Sequence, residues 1–213
     1  MWLPKRPLPS AEQSLHQYAC TCVDAFAREH IDMAPAFFTV GHSTRTIEEF
    51  VALLQAARVT RVIDIRSVAR SRTNPQYNEE SLPTHLAPFN IDYQHIAALG
   101  GLRNRSKEIS PEVNGFWENR SFHNYADYAL TDAFRTGLEE LMARGRQQRC
   151  AIMCAEAVWW HCHRRIVVDH LIAHGEPVFH LMGKDKIDPA QLTRSARLQE
   201  GGLVTYPVRE PDD

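Results

Sequence analysis

The densest chemistry in the chain lies between residues 150 and 165, "CAIMCAEAVWWHCHRR". An apolar run ends at Cys154, and Glu156, Cys162, His163 and Arg164 follow as C-x-E-x5-C-H-R. A deprotonated thiol is a nucleophile, a redox centre or a metal ligand. An imidazole moves protons near neutral pH, and a carboxylate serves as general acid or base. Arginines grip acid groups through paired hydrogen bonds. Spacing narrows these options. A phosphatase-type C-x5-R loop needs an arginine six residues after the cysteine, where Cys154 is followed by Trp160 and Cys162 by Val168. Neither G-x-x-x-x-G-K-[ST] nor G-x-G-x-x-G occurs, so no common phosphate-binding loop is present and no cofactor is named. C-x7-C-H offers two thiols and an imidazole at a spacing unlike the close cysteine pairs of most zinc sites, so spacing assigns no metal. Each residue also has a plain structural reading. Cys154 fits an inert core thiol, Glu156 a partner for neighbouring arginines, and Trp159 and Trp160 a cover for core or interface.

Three other points carry candidates. "AFFTV" runs into "GHSTR", with His42, Ser43 and Arg45. "VTRVIDI" runs into "RSVARSR", with Asp64, Arg66 and Arg70. "IDYQHI" runs into "ALGGLRNR", with Gly100, Gly101 and Arg103. All three apolar runs read as strands, as do "RCAIMCA" and "PVFHLM". Between them, "TIEEFVALLQAA" reads as a helix opened by a Thr46–Glu49 capping box. "SLPTHLA" is a short helix that stops before Pro88. "NYADYALTDAFRTGLEELMARG" is helical to a stop at Gly145, and "RRIVVDHLIAHG" is a helix that opens at Cys162 and His163. There the unpaired amides of the first turn favour a thiolate or a bound acid group. Residues 102 to about 123 form a long polar loop.

Strands alternating with helices argue for one three-layer α/β domain of Rossmann-like type, its mainly parallel sheet covered on both faces. In such a sheet the carboxyl ends of the strands share one edge, where ligands bind. All four chemistry-bearing segments fall at that edge. The opposite edge, "QAARVT", "PFNID" and "RGRQQ", is plainer. Residues 36–213 make up this domain. Residues 1–35 form a Pro-punctuated extension with one short amphipathic helix carrying Leu15, Tyr18, Cys22 and Phe26.

Composition bounds the partners. Apolar residues are 44% of the 213 and charged residues 23%, as in ordinary globular proteins. A net charge of −2 gives no global pull toward nucleic acid or acidic membrane, so anion binding must come from local arginines. No apolar stretch approaches the roughly 20 residues that span a bilayer, and no membrane partner is expected. Five cysteines, two of them in an apolar run, suit reduced thiols better than a disulfide framework, so a cytoplasmic location is expected. The opening residues lack a continuous apolar segment and do not read as a secretory signal.

Together "VGHSTR", "DIRSVARSRTNPQYN", "ALGGLR", "SFHNYADY" and "CAEAVWWHCHRR" resemble the domain-of-unknown-function family numbered 488, in order and over roughly residues 37–182. The resemblance implies an α/β fold and carries no established reaction. It singles out His42, Ser43, Arg45, Asp64, Arg66, Arg70, Pro75, Tyr77, Gly100, Gly101, Tyr125, Tyr128, Cys154, Glu156, Cys162, His163 and Arg164.

Three functions compete. The first is an enzyme acting on a small anionic or nucleotide-like molecule in the strand-end crevice. In it Cys154, Glu156, Cys162, His163 and His42 are catalytic, and Arg45, Arg66, Arg70 and Arg164 hold the acid groups. The second is a non-catalytic module that binds a nucleotide or nucleic acid through arginines and Tyr77, Trp159 and Trp160. The third is a thiol-redox or metal site at Cys154 and Cys162.

Overall fold

The computed structural model describes residues 36–183 and 186–208. The helix expected within residues 1–35 lies outside the described residues. From Phe37 onward the chain runs β1 (Phe37–Gly41), α1 (Ile47–Ala56), β2 (Arg61–Asp64), α2 (Leu82–Leu86) and β3 (Asp92–His95). It continues through α3 (Arg120–Tyr128), α4 (Asp132–Gly145), β4 (Cys150–Cys154), α5 (Arg164–Ala173) and β5 (Val178–Gly183). Short strands β6 (Lys186–Pro189), β7 (Arg197–Leu198) and β8 (Val204–Thr205) close it.

Among the described residues the main sheet has the order β3-β2-β4-β1-β5-β6. Its first five strands are parallel, and β6 joins the edge of β5 antiparallel. Both central strands, β1 and β4, are buried at every position, which is why their sequences are apolar without alternation. Side chains still leave a strand on alternate faces. Phe37, Ile63, Cys150 and Ile152 join one core with Phe134, Leu138 and Leu141 of α4 and Ile166, Val167 and Leu171 of α5. Phe38, Val40 and Val62 point by alternation to the other face, in whose layer α1 buries Phe50, Val51, Leu53 and Leu54. The domain is a three-layer α/β sandwich.

Local signals explain most element boundaries. Thr46 and Glu49 form the full capping box of α1, with Glu49 N donating to Thr46 Oγ1 at 3.2 Å and Thr46 N to Glu49 Oε2 at 2.9 Å. At the end of α5, Gly175 adopts a φ of +78°, the left-handed conformation that favours glycine there. One reading needs correction. The pattern from Asn124 to Gly145 reads as one helix, but the structure has two. Asn119 caps α3 through Ser121 N at 2.9 Å, so the helix begins at Arg120 and shortens the polar loop. Thr131 then caps α4 and separates the pair. Gly145, where the pattern puts the stop, is the last residue of α4. A Cβ there would lie 2.0 Å from the Phe37 ring, so glycine is what lets the end of α4 close onto β1.

The tail is fastened by buried polar groups. Asp169 of α5 accepts from Thr193 N at 2.9 Å and from the Tyr206 hydroxyl at 2.9 Å, and Tyr206 N donates to Asn114 Oδ1. Among the described residues no helix is long and apolar enough to cross a membrane.

Three buried histidines make stability depend on pH. Burial lowers His42 to about 4, His170 to about 3 and His180 to about 4. All three are neutral when folded, while in the unfolded chain each titrates near 6.5. Between pH 6.5 and about 4 the unfolded chain therefore binds more protons, and stability falls as pH falls. Asp169, raised by burial, acts in the opposite sense, one group against three. Urea titrations from pH 7.5 to 4.5 should lose stability below pH 6.5, by up to about 1.4 kcal/mol per pH unit for each histidine. A flat profile down to pH 5 would contradict this.

Candidate functional site

Strands β1 and β4 lie side by side with Gly41 opposite Cys154. Their pairing continues past the sheet, as His42 N donates to Cys154 O at 3.0 Å and Ser43 N to Ala155 O at 2.9 Å. From this pair the chain departs in opposite directions, β1 leading to β2 on one side and β4 to β5 on the other. Such a switch point is where open α/β sheets take ligands. A crevice of about 710 Å³ opens here, within the usual range for small-molecule sites. Backbones approach closely at its base: a Cβ on Gly41 would sit 1.9 Å from Glu156 O. Ser43, on the wall, holds a φ of +47°, which is uncommon for a residue with a side chain.

One wall is built on an ion pair. Asp64, wholly buried at the end of β2, accepts from Arg66 N, Nε and Nη2 and from the Tyr93 hydroxyl at 2.8 Å. Arg66 Nη2 also donates to Tyr77 O, and its Nη1 faces His42 Nε2 at 3.4 Å. A carbonyl oxygen can only accept, so the 2.9 Å contact from His42 Nδ1 to Ser43 O places the ring proton on Nδ1. The remaining lone pair, on Nε2, points at Arg66. His42 also stacks on Tyr77, with ring centroids 4.2 Å apart. With both nitrogens engaged, His42 braces the wall.

The floor carries the thiols. His163 Nε2 contacts Ile65 O at 3.0 Å, and by the same reasoning the Nε2 proton is donated to that carbonyl. In the neutral ring Nδ1 keeps the lone pair, 3.7 Å from Cys162 Sγ and 4.0 Å from Cys154 Sγ. The ring is held by the edge of Tyr125, with centroids 4.9 Å apart. Gly101 leaves the space beside it, since a Cβ there would lie 2.5 Å from Nδ1. Cys162 precedes α5, and its sulfur accepts from Arg164 N at 3.5 Å. Burial pushes the Cys162 thiol up, but the hydrogen bond with Cys154, the Arg164 charge and the Arg164 amide outweigh it and bring it to about 7. The hydrogen bond with Cys162, followed by burial, lifts Cys154 to about 12.

The structure brings His42, Ser43, Arg66, Arg70, Gly101, Cys154, Glu156, Cys162 and His163 together as lining of the crevice. Glu156 is exposed at its mouth. The other candidates lie behind the lining. Arg164 is buried and donates to Val40 O and Glu156 O, tying the ends of β1 and β4. Arg45 donates to Gly41 O. Tyr77 is buried, its hydroxyl donating to Arg45 O and Thr46 O. Arg103 folds back to Ala97 O and Ala98 O and lies over the Tyr128 ring, whose hydroxyl donates to Ala98 O. Gly100 packs on Ser67. Arg70 lines the crevice but pairs with Glu80. Trp159 stacks on His180, with centroids 4.3 Å apart, and Trp160 is 42% exposed. Sequence reasoning missed Ser67, Asn74, Ser121, Phe122 and His161, which also line the crevice. His161 stands one residue before the Cys162–His163 pair, the nearest thing to a signal among them.

Fold and site together define an α/β domain with a thiol–imidazole cluster at the switch point of its sheet. Residues 46–171 match the family described as "Domain of unknown function DUF488", and the chain belongs to that family. His42, Ser43 and Arg45 lie just before the matched segment, which is shorter than the resemblance in the motifs. No curated protein and no solved structure matches the chain.

Removing Asp64 should expose how much of the site rests on its ion pair. Asp64→Ala leaves the Arg66 guanidinium buried without its carboxylate, and breaking such a pair costs about 3–5 kcal/mol. Urea denaturation of the variant should show that loss, with Tyr93→Phe losing much less. A loss below about 1 kcal/mol for Asp64→Ala would mean that solvent reaches Arg66 and the wall is not closed.

Proposed function

We propose that this chain is an enzyme that takes a small acid-bearing molecule into the strand-end crevice and acts on it at Cys154, Cys162 and His163. The observation that carries this reading is the fixed tautomer of His163, which aims an unprotonated Nδ1 at two thiols lining the crevice. Neither packing nor secondary structure requires two sulfurs and an imidazole lone pair at one point, and a reactive centre does. Glu156 stands at the mouth, where a carboxylate can take a proton from a substrate or return it. Arg66 Nη1 and the exposed guanidinium of Arg70 face a substrate's acid group from one wall, with Ser43, Ser67 and Asn74 as hydrogen-bonding neighbours. The surface pair of Arg70 with Glu80 is worth little in water and yields readily to a ligand.

A compact acid suits this wall better than a nucleic-acid strand. A phosphate-tracking groove draws on a row of outward cations; Arg72 and Arg105 stand exposed, but Arg45, Arg103 and Arg164 donate inward to backbone carbonyls.

The test is consumption of a pool of phosphorylated and carboxylated small molecules, followed by mass spectrometry. The native chain should deplete at least one acid-bearing compound. Glu156→Gln should slow that depletion by about 10²–10⁴-fold, the usual share of a general acid or base. Cys162→Ala, with an unchanged circular dichroism spectrum, should abolish it. A pool left intact by the native chain, or depletion at the native rate by both variants, overturns the proposal.

A further inference from the structure

We propose that Cys154 Sγ, Cys162 Sγ and His163 Nδ1 are three ligands of a zinc-type divalent ion whose fourth position opens into the crevice. The inference rests on the reading of this cluster as the reactive centre, and it names the cofactor class that centre takes.

Geometry comes first. A tetrahedral ion with Zn–S near 2.3 Å and Zn–N near 2.05 Å sets its sulfur and nitrogen ligands about 3.6 Å apart and its two sulfurs about 3.8 Å apart. Here Nδ1 lies 3.7 and 4.0 Å from the sulfurs, and all three donor atoms fall within 4.8 Å of one another. Both nitrogen–sulfur separations lie within a few tenths of an ångström of that geometry. Donor chemistry agrees, because two thiolates and an imidazole suit a borderline-soft ion and balance its two positive charges.

Outer contacts supply independent support. A histidine that binds a metal through one nitrogen characteristically donates the other N–H to a carbonyl or carboxylate, and His163 does so to Ile65 O. Arg164 N donates to Cys162 Sγ, the amide-to-sulfur contact that stabilises a bound thiolate. Gly101 leaves room beside Nδ1 that any Cβ would fill. The three residues come from the end of β4 and the start of α5, both fixed by the sheet, so the site is preorganised before an ion arrives. All three line the crevice. With only three protein ligands, an ion here keeps a position for water or a substrate oxygen. That is the arrangement of catalytic rather than structural zinc. Glu156 lines the same crevice.

The test uses the full chain, reduced under argon, stripped with a chelator and titrated with Co²⁺. One cobalt per chain should bind, with a sulfur-to-cobalt charge-transfer absorption and the strong visible bands of a four-coordinate site. Zinc, the tighter binder in the divalent series, should displace it. Cys154→Ser and Cys162→Ser should each weaken binding by more than the roughly 10–100-fold that follows loss of an outer partner. His163→Gln, at a residue that is only half-buried, should do the same without the risk carried by a buried substitution. A variant with both Cys20→Ser and Cys22→Ser should keep the full spectrum.

Cobalt bound without the charge-transfer absorption overturns the inference. So does a spectrum that survives Cys154→Ser with Cys162→Ser, or one lost with Cys20 and Cys22. Two thiols consumed as a disulfide in a chain that takes up no metal overturns it as well. The enzyme reading fails separately. A chain that binds the ion and depletes no compound retains the metal site and loses that reading. A metal-free chain that depletes a compound at the full rate does the reverse.

Discussion

Everything at this site follows from one hydrogen bond, from His163 Nε2 to the carbonyl of Ile65. A carbonyl has no proton to give, so in the neutral ring the bond decides which nitrogen is protonated and which keeps a lone pair. It also joins the residue just before α5 to the end of β2, two points 98 residues apart in the chain. The free nitrogen is thereby aimed at the end of β4 and at Cys162. Were the ring turned over, Cε1 would take the place of Nε2 and Cδ2 that of Nδ1, and neither the carbonyl nor the sulfurs would meet a nitrogen. The chemistry of the crevice is set by backbone geometry before any ligand arrives.

A second constraint is the cost of burying charge. An isolated buried guanidinium or carboxylate is strongly unfavourable unless hydrogen bonds and an opposite charge compensate it. Asp64 and Arg66 compensate one another, with Tyr93, Tyr77 O and His42 completing the shell. Among the described residues Arg164 has no carboxylate partner, and it donates to Val40 O and Glu156 O. These two arginines thus have different work. Arg66 stiffens a wall and still shows one nitrogen to the crevice, while Arg164 fastens the loop that carries Glu156 to the end of β1. Stiff walls matter because a centre of two thiols and an imidazole functions only if its atoms hold their mutual distances.

Much of this was legible in the residues. The continuous apolar runs gave β1 and β4 as strands of a parallel sheet, and the carboxyl-end rule then brought His42, Asp64, Gly101 and Cys154 to one rim. The Thr46–Glu49 box announced α1 to the residue. What stayed hidden depends on reach and on contacts far apart in sequence. A guanidinium spans several ångströms, so nothing local distinguishes Arg164, bonded to Val40, from Arg66, which reaches the crevice. Arg103 folding over Tyr128 is equally invisible. Thr131 as a cap was masked by the helical periodicity on both sides of it. Ser121 and Phe122 reach the crevice only because Asn119 starts α3 early. Nor does the unusual spacing of Cys154 and Cys162 betray their proximity. Strand β4 and the turn into α5 fold the seven intervening residues out of the way.

The central claim is the protonation state of one ring, and ¹⁵N nuclear magnetic resonance of histidine-labelled protein reads it directly. At neutral pH the account predicts that His163 carries its proton on Nε2, with Nδ1 unprotonated and responsive to added zinc. A proton found on Nδ1, or on both nitrogens, would contradict it and remove the basis for a reactive centre at Cys154 and Cys162.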